Sequence, residues 1–232
     1  MATADGLSVL MPVFNERATI EAAIERVLSV DVPVDRLELI VVDDGSSDGT
    51  RELLEGGAWP ENVRLLSHEQ NRGKGAALRT GVAEAGCEYC TVMDADLEYD
   101  PSNFAGLLGP LLAGEADAVY GVRGFQAHSA YSFWYVVGNK AVTLAANVLY
   151  NAWLSDLMTC QKALKTDVFR GLPLRENGFA IEAEITARLL RAGARIYELP
   201  ITYRARRREE GKKLTAVDGV RVLATLARCR VR

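Results

Sequence analysis

Several large classes of protein are excluded by what this chain does not contain. No stretch of its 232 residues runs to about 18 apolar side chains without a charge or an amide, the length a membrane-spanning helix needs. Met1 to Leu10 has neither the basic start nor the apolar centre of a signal peptide. There are only four cysteines, Cys87, Cys90, Cys160 and Cys229. An apparent strand carries Cys87 and Cys90 three apart, on opposite faces, whereas redox or zinc chemistry needs the sulfurs to converge at a turn or helix start. A reducing cytoplasm is the expected setting. The turn after the first apolar run, Pro12-Val13-Phe14-Asn15-Glu16, holds no glycine, so the G-x-G-x-x-G of dinucleotide-binding folds is missing. Gly73-Lys74-Gly75 lacks the spacing and the serine or threonine of a P-loop. Basic residues are not interleaved with aromatic ones, which argues against nucleic acid as a partner.

What remains is the profile of a globular α/β protein, 49% hydrophobic and 25% charged, large enough for one sizeable core. Charge is unevenly spread. The last 29 residues, 204–232, hold ten Lys or Arg against three acidic residues, a net of +7, while residues 1–203 carry −11. A basic tail on an acidic body suggests contact with an anionic surface such as lipid head groups. A solubilising terminal helix is the plainer alternative.

Apolar runs and amphipathic segments alternate through the first 120 residues. Strands are expected at 8–13, 37–42, 63–67, 89–93 and 116–121. Helices are expected between them, with Ser46 or Ser47 placed to cap the second and Asp100-Pro101 opening the fourth. Strand-helix repetition of this kind predicts a mostly parallel sheet covered on both faces. Ligands in such sheets bind beyond the carboxyl ends of the strands. There lie Phe14-Asn15-Glu16, Asp43-Asp44, Asp94-Ala95-Asp96 and Arg123. If 94–96 continues extended, Asp94 and Asp96 face one side with Ala95 opposite, a pair suited to Mg²⁺ or Mn²⁺ held together with substrate phosphates. A solvated turn is the competing reading of the same triplet.

Pro12-Val13-Phe14-Asn15-Glu16, the run from Val41-Val42-Asp43-Asp44 to Gly49-Thr50, and Asp94-Ala95-Asp96 resemble the nucleotide-sugar glycosyltransferases of family 2, with the GT-A fold. Within that family the chain looks most like the dolichyl- or polyprenyl-phosphate mannose and glucose synthases. The likeness spans residues 7–226. It implies one Rossmann-like GT-A domain, with a nucleotide-sugar half at about 7–125 and an acceptor half at about 126–232. It further implies that Pro12, Phe14, Glu16, Val42 and Asp44 hold the nucleoside, with Asp44 accepting from the base. Asp94, Ala95 and Asp96 would meet the donor diphosphate of a GDP- or UDP-hexose. Asp94, Asp96 and Glu98 would be the metal ligands, Glu98 standing where the close synthases often have glutamine. Arg123 matches an arginine that faces the acceptor phosphate, and Arg208 and Lys213 belong to a late basic loop that closes over the phosphates. Inversion at the anomeric carbon is also implied.

A phosphate acceptor is ionised at neutral pH and needs orientation more than a base. A hydroxyl acceptor would need one, and Asp156 and Glu182 are the candidates; for each, helix-end capping or solvated surface is the alternative. The pattern also departs from the polyprenyl-phosphate synthases, because no arginine lies between Arg123 and Arg170 and Lys140 is the only basic residue before Lys162 beyond it. Lysine is a point charge where arginine is a fork.

The segment 130–154 is dense in large apolar residues, with Tyr131, Phe133, Trp134, Tyr135, Trp153 and several aliphatic side chains. It reads either as an interfacial helix dipping among lipid head groups or as a core or dimer-contact helix. A helix at 181–190, a strand at 195–203 and an amphipathic helix at 216–227 complete the prediction. The expectation is a cytoplasmic, peripheral enzyme on the inner face of the membrane, as a homodimer or leaning on a membrane-protein partner. Its rivals are the same donor chemistry on a soluble saccharide or natural-product hydroxyl, and a non-catalytic nucleotide-binding scaffold.

Overall fold

A computed structural model describes residues 4–124, 133–205 and 216–231. The backbone alternates β1 (Ala4–Val13), α1 (Ile20–Leu28), β2 (Arg36–Asp43), α2 (Thr50–Gly56), β3 (Val63–Ser67), α3 (Lys74–Glu84), β4 (Cys87–Val92), α4 (Asn103–Leu112) and β5 (Ala118–Arg123). The remainder is α5 (Phe133–Tyr150), β6 (Lys162–Lys165), α6 (Thr166–Gly171), α7 (Ile181–Arg191), β7 (Ile196–Ile201) and α8 (Ala216–Val231). The strands form one sheet in the order β3-β2-β1-β4-β6-β5-β7. All neighbours run parallel except β6, which is antiparallel to both β4 and β5.

The sheet separates two cores, as its alternating side chains require. Leu7, Val9, Met11 and Val13 face α1 and α4 on one side, while Leu10, Ile40, Val42 and Val92 meet α3 and α7 on the other. Near-continuous Val, Ile and Leu along β1 and β2 follow from burial on both faces. A third cluster joins α5, α7 and α8 through Val142, Ala146, Ala183, Ala187, Val222 and Leu226. Short α7 side chains let α8 approach closely.

The parallel sheet with helices on both faces is as expected, and one local expectation is corrected. Neither Ser46 nor Ser47 caps α2; Gly49 stands at that position without a side-chain bond. The Thr50 amide instead donates to Asp48 Oδ1 at 3.0 Å, while Ser46 Oγ accepts from the Asn15 amide at 2.9 Å and ties the first two strand-end loops together. β6 and α6 were not anticipated. Four residues of β6 carry two lysines, Lys162 and Lys165, so the usual apolar strand signal is weak there.

On α5, Asn139, Val142, Thr143 and Ala146 face inward. Trp134 (77%), Leu144 (62%) and Val148 (74%) stay exposed, with Trp153 just beyond the helix at 89%. This stripe is not core. Tyr131 lies outside the described residues.

Candidate active site

Because β1, β2, β4, β5 and β7 run the same way, their carboxyl ends share one edge of the sheet, and the antiparallel β6 brings its amino end there too. A cavity of about 360 Å³ opens at this edge. The sequence expectation that the chemistry-bearing residues of separate loops meet in one place concerns this cleft. Pro12, Phe14, Glu16 and Asp44 line one part of it, Asp94, Ala95, Asp96 and Glu98 the floor, and Arg123 and Glu182 the far side. Val42 does not reach it; its side chain lies in the core beneath α3. Arg208 and Lys213 lie outside the described residues.

Asp44 is buried and already holds three donors. His68 Nδ1 is 2.6 Å from Oδ1, the Arg72 amide donates to Oδ1 at 2.9 Å, and the Gly73 amide donates to Oδ2 at 2.7 Å. A carboxylate has roughly four lone-pair positions, which leaves room for one further donor. His68 is itself fixed from the other side by Thr80 Oγ1 at 3.0 Å from Nε2. Asp43 is turned away from the cavity and accepts from Arg51 Nε at 2.8 Å.

Asp94 and Asp96 follow β4 on a turn and are not part of an extended strand. Leu97 takes φ 63°, a left-handed conformation that is uncommon for a side chain of its size. It lets the Glu98 amide donate back to Asp96 Oδ1 at 3.0 Å. Glu98 accepts from the Tyr203 hydroxyl at 2.5 Å. Glu98 lines the same cavity, but among the described residues no three acidic, histidine or cysteine groups converge to hold a cation unaided.

Lys74 is the group the sequence reading passed over. Its Nζ lies 2.8 Å from Asp94 Oδ1, 3.2 Å from Glu182 Oε1 and 3.0 Å from Cys160 Sγ. Burial works against the ammonium, but Asp94, Cys160 and Glu182 outweigh it and carry the pKa well above the ordinary lysine value. Burial likewise pushes Asp94 up, but Lys74, together with Cys160 and Lys162, outweighs it and lowers the pKa below the ordinary carboxylate value. Glu182 is buried, neither a cap nor solvated, and pairs on its other oxygen with Lys162.

The two glycines around Lys74 have a steric reason. A Cβ on Gly73 would come within 2.4 Å of the Asn177 carbonyl oxygen, and one on Gly75 within 2.2 Å of that of Glu176. The Gly75 amide donates to the Asn177 carbonyl at 2.6 Å. Gly73-Lys74-Gly75 is therefore a clasp for the loop before α7, with the lysine lining the cleft beside Asp94 and Glu182. Close backbone approach, not phosphate cradling, is what the spacing encodes.

Arg123 and Asp156 form a buried fork. Nε donates to Asp156 Oδ2 at 2.7 Å and Nη2 to Oδ1 at 2.8 Å, and Asn139 Nδ2 adds a third bond to Oδ1 at 3.0 Å. Asp156 is wholly buried. Burial raises its pKa, but the bonds and charge of Arg123 prevail and hold it below the ordinary value. Its expected role as a base does not suit this geometry, because its lone pairs are committed to Arg123 and Asn139. The Arg123 guanidinium lies 5.3 Å from the Tyr203 ring centroid and its Nη1 is 3.5 Å from the Tyr135 hydroxyl. Tyr203 was a strand residue to the sequence reading; here it contacts both Arg123 and Glu98.

Residues 8–172 match the family described as Glycosyl transferase family 2. The chain belongs to that family. It is 29% identical over 205 residues to glycosyltransferase AglJ of Haloferax volcanii, covering 88% of this chain and 64% of that protein. It is 30% identical over 200 residues to the undecaprenyl-phosphate 4-deoxy-4-formamido-L-arabinose transferase of Aeromonas hydrophila, covering 77% of this chain and 59% of that one. The chain thus spans about three fifths of the length of both relatives. In three dimensions it resembles glucosyl-3-phosphoglycerate synthase of Mycobacterium tuberculosis, solved with Mn²⁺, UDP and glucosyl-3-phosphoglycerate. The TM-score is 0.77 at 25% identity, covering 98% of this chain and 80% of that one. Family 2 membership and this neighbour give the chain the GT-A fold.

Proposed function

We propose that this family 2 glycosyltransferase moves a hexose, of mannose or glucose type, from a GDP- or UDP-sugar to a polyprenyl or dolichyl phosphate, with inversion and with a divalent metal. The observation that carries the acceptor half is the Arg123–Asp156 fork. A guanidinium held on one edge by a buried carboxylate presents its remaining N–H groups in a fixed direction, as a phosphate requires. Asp156 and Glu182 are both spent in ion pairs, which disfavours an acceptor hydroxyl that needs either of them as a base. The transferase of A. hydrophila, whose name specifies an undecaprenyl phosphate, supports the same acceptor class.

For the donor, Asp44 with its open lone pair would take an N–H of the base, beside Pro12, Phe14 and Glu16. Asp94, Asp96 and Glu98 offer the hard oxygens that Mg²⁺ or Mn²⁺ prefer. Such ions commonly use only one or two carboxylates and complete their shell with substrate phosphates, so the absence of a three-ligand cluster among the described residues is compatible. When bound, the cation would neutralise charge on the departing diphosphate. Lys74, fixed beside Asp94, would add a second positive charge at the same place, and Arg208 and Lys213 would close over it.

No helix among the described residues is long and apolar enough to cross a membrane. The exposed stripe of α5 supports peripheral contact with the cytoplasmic face, near the Arg123 side of the cleft. A soluble acceptor remains a second reading, because the M. tuberculosis neighbour was also solved with Mn²⁺, UDP and the small phosphoglyceric acid. A hydrolysis screen across labelled nucleotide sugars, with and without metal, identifies the donor. Transfer assays with that donor then partition product between organic and aqueous phases. Label entering the organic phase only when polyprenyl phosphate is supplied is the expected result. Label confined to water with every lipid phosphate tested, while a soluble acceptor is glycosylated, overturns the lipid assignment.

A further inference from the structure

Behind the loop that Gly73 and Gly75 clasp lies a second cavity, of about 410 Å³, between that loop, α7 and α8. Arg175, Arg188, Arg221 and Arg228 line it, against the acidic Glu176 and Asp218. The guanidinium groups outnumber the carboxylates, and the pairing is incomplete. Arg228 is bound to Glu176, which also accepts from Thr225 Oγ1 at 3.0 Å. Arg221 is 3.8 Å from Asp218, the outer limit of an ion pair. Arg188 reaches Glu184 Oε1 only at 3.5 Å, while the other oxygen of Glu184 is taken by the amides of Arg175 and Glu176 at 2.8 and 2.7 Å. The Arg188 Nε is buried with no acceptor among the described residues, and the Arg175 side chain has no carboxylate partner among them.

A buried donor without an acceptor is rare in folded proteins because it costs free energy unless a partner arrives. Four forks converging on one space, with surplus positive charge and an unsatisfied N–H, match the shape and charge of a phosphate group. We infer that the arginine-lined cavity between α7 and α8 is a binding site for a phosphate-bearing anion, separate from the transfer site. The juxtaposition is specific: Gly178 and Phe179 line both cavities, so the anion sits on the reverse of the wall that bounds the cleft. Two sources supply that chemistry, a soluble phosphate compound and the head group of an anionic lipid. The second is geometrically open, since α8 packs on α5, which carries the exposed Trp134 and Val148.

The test uses the full chain in three further forms. Arg175→Ala/Arg221→Ala removes two exposed arginines of the cavity. Arg64→Ala/Arg195→Ala removes the same charge at a half-buried and an exposed position that line neither cavity. Arg123→Ala disables phosphate contacts in the cleft. Each is titrated calorimetrically with inorganic phosphate, and each is assayed by co-sedimentation with phosphatidylcholine vesicles made with and without phosphatidylglycerol. The expected result is a loss of roughly tenfold or more in affinity, in one arm or both, for the cavity variant alone. Loss in the phosphate arm identifies a soluble ligand, and loss only with phosphatidylglycerol identifies the lipid head group. Cavity and control variants that behave alike in both arms overturn the inference, as does phosphate binding abolished by Arg123→Ala alone. Thermal melts of the variants confirm that each is folded.

Discussion

Asp156 grips one edge of the Arg123 guanidinium, through Nε at 2.7 Å and Nη2 at 2.8 Å, and both residues are buried. A charge pair taken out of solvent contributes little net stability, yet losing one member strands the other. Asp156→Asn is therefore expected to destabilise the fold by roughly 3–5 kcal/mol and to raise the acceptor KM far more than the donor KM. Arg123→Ala should show the same KM pattern. Replacing both with apolar residues of similar size, Arg123→Met/Asp156→Leu, should recover most of the stability and none of the acceptor binding. Denaturant melts and initial rates with each substrate varied distinguish these outcomes. An unchanged acceptor KM in Arg123→Ala would remove this arginine from the site.

The same carboxylate sets a pH dependence. Its pKa in the folded protein lies below the unfolded value of about 3.9, held down by Arg123 against the effect of burial. Its stabilising contribution is thus complete above pH ~4 and disappears as pH falls through the depressed folded value. The stability gap between the wild type and Asp156→Asn is expected to be constant from neutral pH to about 5 and to shrink in stronger acid. Urea titrations across that range measure it, and a gap that widens on acidification would contradict the assignment.

Asp96 is half-buried at the cavity floor, on a turn and outside the packed core. Asp96→Ala should reduce metal-supported transfer by roughly 10²-fold or more while costing only about 1 kcal/mol of stability, the worth of the bond it accepts from the Glu98 amide. Rates measured with added Mg²⁺ or Mn²⁺ and with chelator test it. Normal turnover by this variant under chelation would exclude the proposed metal role.

Gly75 faces a backbone carbonyl at a distance no Cβ tolerates, whereas Gly106, inside α4, faces open space. Gly75→Ala should cost about 1–3 kcal/mol through forced backbone displacement and should also raise the donor KM by shifting Lys74. Gly106→Ala should stabilise by up to about 1 kcal/mol without kinetic effect. Chemical denaturation and donor saturation curves on the pair report both effects. Equal behaviour would mean that the clasp carries no load.

The first part of the sheet was legible because buried parallel strands write themselves as Val, Ile and Leu runs ending in polar turns. Val41-Val42-Asp43-Asp44 is such a run, and it placed Asp44 at the sheet edge within a residue. The remaining contacts of the cleft were obscured for physical reasons. Lys74 and Lys162 look like surface residues in sequence, yet their ammonium groups are buried against Asp94 and Glu182, a pairing across 20 residues or more. Asp156 lies 33 residues from Arg123, too far for any local pattern to join them. His68 and Tyr203 sit at strand ends where only the fold reveals what they touch. In α5, open to either an interfacial or a core reading, the fully buried residues are small or polar, while Phe133, Trp134, Leu144 and Val148 face out.

The reversed direction of β6 has an architectural consequence. A sheet of uniform polarity offers ligands only the terminations of its strands, so each contributing loop must lead onward into a crossover helix. One strand laid the opposite way admits a loop that arrives at the rim, turns in and is anchored at once by sheet pairing. Met158 and Cys160 reach the cleft by that route. Extra length between β5 and β6 can accordingly reshape the rim while the parallel strands β1, β2 and β4 keep their register.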